Sequence, residues 1–471
     1  MATDMDKYYK AVDDLSSSSK ERLGKAIEIQ SVSADNVQAE MKKMADFLVT
    51  ELKAVGADAE TKELNDKKLP HVVVARYPAN PDSSKRTILI YGHYDVQPKG
   101  EGWKHEPFKM KEEDGKLFGR GSTDDKGPVI AWINVIEAYK KSGVQFPVNV
   151  RFCFEGMEES GSTGLPEFLD SAEGKQLFDK VDAGCISDNY WLGTKKPCLT
   201  YGLRGINYFS ITVSGPPKQL HSGIFGGSVY EPLTDLIILL SKLVDSQGKI
   251  LVPGIEKIIE PLTDEEKKLY DGIDYSLKDF NDSIGPKSDC GIYNDPKQIL
   301  MARWRYPSLS IHGISGAYSG DQTVTSIPPN VTGKFSIRTV PNMTNDRVTE
   351  LVKNYLNVEF EKLNSKNHLT VKLNDKGEWW RTDPQAQNFK AAVSATRDIW
   401  EQVIPDLTRE GGSIPVTMDI QKGLGDKSLM LLPIGTTNDG AHGPDENIPT
   451  KNYINGIKVL GAYLHHFATQ I

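Results

Sequence analysis

The stretch Thr87-Ile-Leu-Ile-Tyr-Gly-His-Tyr-Asp95 begins as an apolar, β-branched run and ends in a histidine and an aspartate two positions apart. A short unbroken apolar run of this kind predicts a strand buried on both faces, as in a mainly parallel sheet with helices above and below it. Val148 to Phe154 and Ala183 to Ser187 predict two more such strands, and each passes at once into polar residues able to do chemistry. Open α/β sheets place their sites at the carboxyl ends of their strands. A fourth run, Leu429 to Ile434, leads into Thr436-Thr-Asn-Asp-Gly-Ala-His442. Its likeness of context to the first three predicts that these distant segments share one sheet.

Between them, Ile206 to Ser214, Leu309 to Ile314, Val331 to Ile337 and Leu369 to Leu373 predict strands, and Pro232 to Asp245 and Asn345 to Leu363 carry a helical period. The expectation is an α/β domain with helices on both faces of its sheet, interrupted by an inserted α+β domain. Lys249 to Ile299, rich in Asp, Lys and Gly, lacks sustained periodicity and predicts a surface excursion.

With 38% hydrophobic and 25% charged residues in a chain of 471, a packed globular core is expected. The formal charge of -8, with no dense basic stripe, argues against nucleic acid or an anionic membrane surface as partner. Met1 to Ser19 is polar where an export signal would be apolar, and the longest apolar run, Leu236 to Leu240, is far short of the ~20 residues that span a bilayer. A cytoplasmic protein is expected. Cys153, Cys185, Cys198 and Cys290 are too few and scattered for a disulfide framework and predict reduced core thiols.

Each strand end carries groups with a chemical and a plain reading. In His93-Tyr-Asp95 an extended backbone puts both side chains on one side, so that the carboxylate accepts from one imidazole nitrogen and the other faces a cation. Taken alone, such a pair is as readily a surface histidine. Gly119-Arg-Gly-Ser-Thr-Asp124-Asp125-Lys-Gly127 offers a carboxylate able to bridge two ions, or simply a cap for the helix that Pro128 opens. Glu158 and Glu159 stand side by side in a glycine-bounded loop and repel unless a cation offsets them. If Glu159 binds the ion, Glu158 is placed as general base. Asp188 and His442 complete a set of two histidines and three carboxylates following strands of one sheet, and this coincidence carries more weight than any member of it. Without sulfur donors the set does not make a zinc finger. It suits zinc, manganese or cobalt in a hydrolytic dinuclear site. No H-E-x-x-H, G-x-S-x-G, G-x-x-x-x-G-K-[ST] or G-x-G-x-x-G occurs.

The runs Gly92-His-Tyr-Asp-Val-Gln-Pro98, Gly119-Arg-Gly-Ser-Thr-Asp-Asp-Lys-Gly-Pro128, Phe154-Glu-Gly-Met-Glu-Glu-Ser-Gly161, Leu220-His-Ser-Gly-Ile-Phe-Gly226, Gly333-Lys-Phe-Ser-Ile-Arg338 and Arg409-Glu-Gly-Gly-Ser-Ile-Pro415 resemble one family. This is the dinuclear metallopeptidase family of aminoacylases, glutamate carboxypeptidases and the carnosinase-like, nonspecific dipeptidases of the cytosol. The resemblance runs from about Ser33 to the carboxyl end, and it departs after His442 in Gly443-Pro-Asp-Glu-Asn447.

It implies a zinc-peptidase-like catalytic domain of residues 1–202 and 379–471, and a lid and homodimerisation domain of residues 203–378. It also implies two divalent ions, Zn2+ or Mn2+. Asp124 would bridge them, with His93 and Asp188 on one and Glu159 and His442 on the other. Asp95 would support His93, Glu158 would be the base, and the peptide between Asp124 and Asp125 would be cis. His221 would reach the partner subunit's site to stabilise the oxyanion, and Arg338, Thr325 and Ser413 would hold the carboxylate of a dipeptide. An N-acyl amino acid deacylase would use the same core, and an inactive peptide-binding scaffold is a further alternative.

Overall fold

The computed structural model describes residues 2–35, 38–285 and 290–470. Strand Thr87–His93 is buried at every position because its alternate side chains enter two different cores. Ile88 and Ile90 pack with Leu48, Val129, Ile133 and Leu460, whereas Leu89 and Tyr91 pack with Leu165, Ile420 and Leu424. Fully burying each such side chain is worth ~1.5–3 kcal/mol, so the strand is fixed from both faces.

It lies in a nine-stranded sheet with the order Asp58–Lys62, Val72–Tyr77, Asn149–Glu155, Thr87–His93, Ala183–Ile186, Ser428–Leu431, Cys198–Leu203, Trp380–Arg381, and Asp406–Glu410 also beside Cys198–Leu203. Asn149–Glu155, Thr87–His93, Ala183–Ile186 and Ser428–Leu431 are adjacent and parallel, so the four strands anticipated from the sequence open their carboxyl ends on one side. The other pairs are antiparallel except that of Asp406–Glu410 with Cys198–Leu203, which makes the sheet mixed. The last of the four stops at Leu431, short of the expected Ile434. Leu432 still donates to the Ile186 carbonyl at 2.7 Å, but Pro433 has no N–H to extend the ladder.

A separate core forms between a four-stranded antiparallel sheet and the helices Pro232–Ser241 and Asn345–Lys362, from residues such as Phe209, Val213, Leu239, Phe335, Val352 and Leu356. The strand order is Ser308–Ser315, Asn330–Thr339, Gly205–Ser214, His368–Gly377. The chain thus leaves the first sheet after Leu203 and re-enters it at Trp380.

Residues 249–299 are more ordered than the sequence suggests, although 286–289 of that segment lie outside the described residues. They contain the helices Asp264–Asp271 and Leu277–Ile284 and the start of Pro296–Trp304, each too short to show a period. Tyr270, Leu300, Met301 and Trp304 give them a small core. Glu266 is held there by Arg305 at 3.0 Å and by Arg409 of the large sheet at 2.6 Å. Removing one partner of such a buried ionic group costs on the order of 3–5 kcal/mol, so this excursion is firmly joined to the large sheet. Cys153, Cys185 and Cys198 are buried as expected, but Cys290 is exposed. Among the described residues, no helix is long and apolar enough to cross a membrane.

Candidate active site

At the end of strand Thr87–His93 the buried imidazole of His93 points Nε2 at Asp124 Oδ1, 3.0 Å away, and at Asp188 Oδ2, 3.7 Å away. The other oxygen of Asp124 lies 3.0 Å from His442 Nε2, which is 3.1 Å from Glu159 Oε2. Two donor clusters, His93, Asp124, Asp188 and Asp124, Glu159, His442, therefore share one carboxylate. Donors bound to one tetrahedral ion at ~2.0–2.2 Å are about 3.4 Å apart, close to these separations.

Among the described residues no lysine or arginine forms an ion pair with Asp95, Asp124, Asp125, Glu158, Glu159 or Asp188. Buried carboxylates without a counter-charge are costly. Burial, then Asp124 and Glu159, push Asp188 up to about 7 against the opposing His93. Burial also raises Glu158 well above the carboxylate range, with Asp188, Asp124 and Glu159 adding to it and His93 opposing. Burial disfavours a charged His93, yet Asp124, Asp188, Asp95 and Glu158 overcome it and hold the imidazole well above its usual value. Hydrogen bonds to Asp124 and Glu159 lift His442 to about 10. The donor set fits divalent cations.

Local structure explains why these residues meet. Asp125 stands at the start of helix Lys126–Ser142 but makes no side-chain cap; its carboxylate instead accepts the His93 N–H at 3.1 Å. The capping reading of the acidic pair therefore fails for Asp125. The Asp124-Asp125 peptide is cis. Gly127 closes this turn, because a Cβ there would lie 2.0 Å from the Ser122 carbonyl oxygen. The extended His93-Tyr-Asp95 geometry needs correction: the strand ends at His93, so Asp95 lies beyond it. Its backbone carbonyl accepts from His93 Nδ1 at 3.1 Å, with the carboxylate 3.3 Å from the same nitrogen. That carboxylate also receives the N–H groups of Glu158 and Glu159 at 3.2 and 3.1 Å. Asp95 thus orients the imidazole and the glutamate loop together. Gly156 lets that loop pass, since a Cβ would lie 2.5 Å from the Tyr94 ring.

Glu158, Asp124, Asp188, His442, Ser413 and Glu410 line a cleft of about 360 Å³. Arg338 is not among its lining residues but donates to Ser413 Oγ at 3.2 Å, while Ser413 donates to the Arg204 carbonyl at 2.5 Å. His221 and Thr325 are brought near each other and not to this cleft. They are exposed beside the short pairing of Leu220–His221 with Ser326–Ile327, where the Thr325 carbonyl accepts the Ser222 N–H at 3.1 Å. The sequence reading did not single out Glu410, Arg303 and Tyr190 of the cleft. The charge of Glu410 beside Gly411-Gly412 is the signal that the sequence offers for it.

The fold and the paired donor clusters define a metal-dependent peptidase. Residues 89–466 match the model of Peptidase family M20/M25/M40, and the chain belongs to that family. It is 50% identical to the Cys-Gly metallodipeptidase DUG1 of Candida albicans, over 98% of this chain and 96% of that one. Two solved structures superpose closely: the dipeptidase Dug1p of Saccharomyces cerevisiae, with a TM-score of 0.88, 45% identity and 98% of each chain covered, and human carnosine dipeptidase 1, with 0.89, 37% and 99% of each.

Proposed function

We infer that this chain hydrolyses dipeptides bearing a free terminal carboxylate, of the Cys-Gly or β-Ala-His kind named for its relatives, in a site that holds two divalent ions, Zn2+ or Mn2+. The observation that carries this reading is the shared carboxylate of Asp124 between two histidine-containing clusters, with Glu158 open to the same cleft. His93 and Asp188 would hold one ion and Glu159 and His442 the other, with Asp124 bridging.

Bound cations supply Lewis acidity toward the peptide carbonyl and toward water. Glu158 takes the proton of the attacking water and returns it to the leaving amine. Asp95 keeps His93 and the Glu158 loop in fixed relation. Arg338 with Ser413 holds the substrate carboxylate, Arg338 through paired charge-assisted hydrogen bonds, and Thr325, which lies beside His221 and away from this cleft, joins them from a second copy. His221 stabilises the oxyanion in the site of a second copy.

The domain of residues 203–378 serves as lid and dimer contact, and residues 1–202 with 379–471 form the catalytic domain, in the cytoplasm. Support for a homodimer comes from the exposed Ile224, Ile311, Ile314, Tyr318 and Val324 between residues 203 and 378. The relatives' names do not favour the deacylase alternative.

Metal-loaded protein should cleave Cys-Gly and β-Ala-His faster than acetyl amino acids, and dipeptide amides poorly. Equal cleavage of free and amidated dipeptides would remove the carboxylate clamp; preference for acetyl amino acids would replace the dipeptidase reading.

A further inference from the structure

The five ligand side chains are held with unequal firmness. His93 is enclosed, and Asp124, Glu159 and Asp188 are 7%, 5% and 10% exposed, whereas His442 is 58% exposed. His93 follows a central strand, but His442 sits among turns in a left-handed backbone conformation, φ 62°. A non-glycine residue stays there only when its surroundings dictate it.

Those surroundings converge on one buried ion pair. Arg120 and Glu446 meet at 2.7 Å with 1% and 0% of their side chains exposed. The other Glu446 oxygen accepts the backbone N–H groups of Gly121, Thr123 and Asp124 at 3.0, 3.1 and 3.2 Å. The other Arg120 amino group donates to the carbonyls of Pro98, His442 and Lys99 at 3.0, 3.3 and 3.4 Å, and its guanidinium lies 5.3 Å from the Trp103 ring. Asp445, next to Glu446, accepts the N–H groups of Lys104 and His105 at 2.8 and 3.2 Å. Three loops, around residues 98–105, 119–124 and 442–446, are thereby one body. The amide of the bridging ligand hangs on Glu446 and the carbonyl of the exposed ligand on Arg120, so the pair sets the distance between them.

We propose that Arg120 and Glu446 are positioning residues chiefly for the cation position made by Asp124, Glu159 and His442, where they fix two of the three ligands, whereas the position made by His93, Asp188 and the shared Asp124 has two ligands placed by the central strands. This rests on the two-cation reading above. Glu446→Gln keeps an acceptor for the amides but removes the charge that aligns Arg120. Loss of such a supporting contact typically weakens metal binding ~10–100-fold.

The test is a calorimetric titration of the full-length protein, freed of metal with a chelator, using Mn2+. The parent should show two binding events. Glu446→Gln should weaken one of them ~10–100-fold and the other by less than about threefold. The weakened event should be the one lost in His442→Ala and retained in Asp188→Ala. Raising Mn2+ should restore kcat in Glu446→Gln, which a general loss of structure would not allow. If that variant does not fold, Arg120→Lys carries the same test, since it keeps the buried charge and gives up the fork that reaches Pro98 and His442. Equal weakening of both events, or of neither, overturns the proposal and leaves the two-cation reading standing. A parent that binds a single ion overturns that reading and the proposal together.

Discussion

Strand Thr87–His93 is buried along its whole length, whereas strand Ser308–Ser315 is exposed from Ser310 onward. The first lies mid-sheet with helices on both faces; the second is the edge of the four-stranded sheet, with Ile311 and Ile314 43% and 41% exposed. A strand fixed on four sides gives the ligand at its end a rigid seat. An open apolar edge asks to be covered, and the segment that follows it carries Thr325 and the strand that pairs with His221. The two donor clusters lie within one chain, whereas His221 and Thr325, proposed above for the oxyanion and the substrate carboxylate, lie in the exposed segments beside that edge.

The sharpest way to break this division is at the buried region. Glu158→Gln preserves size and removes the proton acceptor, so kcat should fall ~10²–10⁴-fold with both ions retained. Metal analysis and turnover on the same sample check it; full activity at full metal content would take Glu158 out of the mechanism.

At the open region, His221→Ala should cost ~10²–10³ in kcat, as loss of one oxyanion donor does. Its location is then decided by mixing. His221→Ala chains combined with Glu158→Gln chains should regain activity after subunit exchange, because one site of each mixed dimer recovers both groups. Mixed dimers that form and stay inactive would place His221 in its own chain's site. A smaller effect is expected of Arg338→Ala, a KM increase of ~10–100-fold for free dipeptides from a lost charged hydrogen bond, with metal content unchanged. A drop confined to kcat would contradict binding of the substrate carboxylate.

The sequence disclosed the buried region better than the open one, and the physics explains why. A strand enclosed on both faces, such as Thr87–His93 or Ala183–Ile186, is apolar throughout and announces itself locally. Asp58–Lys62 alternates polar and buried residues at a sheet edge and gives only a weak signal. The helix Ser16–Glu28 begins in a serine run whose residues favour turns and caps over helix interiors, so it was not anticipated. Four of the five ligands were legible because His93 ends a strand of the large sheet and Glu159, Asp188 and His442 come after one, whereas Asp124 was legible from the glycine-bounded turn before helix Lys126–Ser142. Glu446 was not, because its partners Arg120, Gly121, Thr123 and Asp124 lie more than 300 positions away and nothing in Gly443-Pro-Asp-Glu-Asn447 distinguishes a buried acceptor from a solvated acid.

Strand Ser428–Leu431 fills the slot between Ala183–Ile186 and Cys198–Leu203. During synthesis the large sheet therefore has a gap at its centre until almost the entire chain has emerged, with the Ala183–Ile186 edge bare on one side of it. The inserted sheet, made of strands between Gly205 and Gly377, has all its members available earlier. Long-range pairing of this kind is slow and leaves apolar edges open while it waits. Folding of the catalytic half is therefore a late event, and the nascent chain carries a finished insert alongside an unfinished sheet that must be shielded from its neighbours.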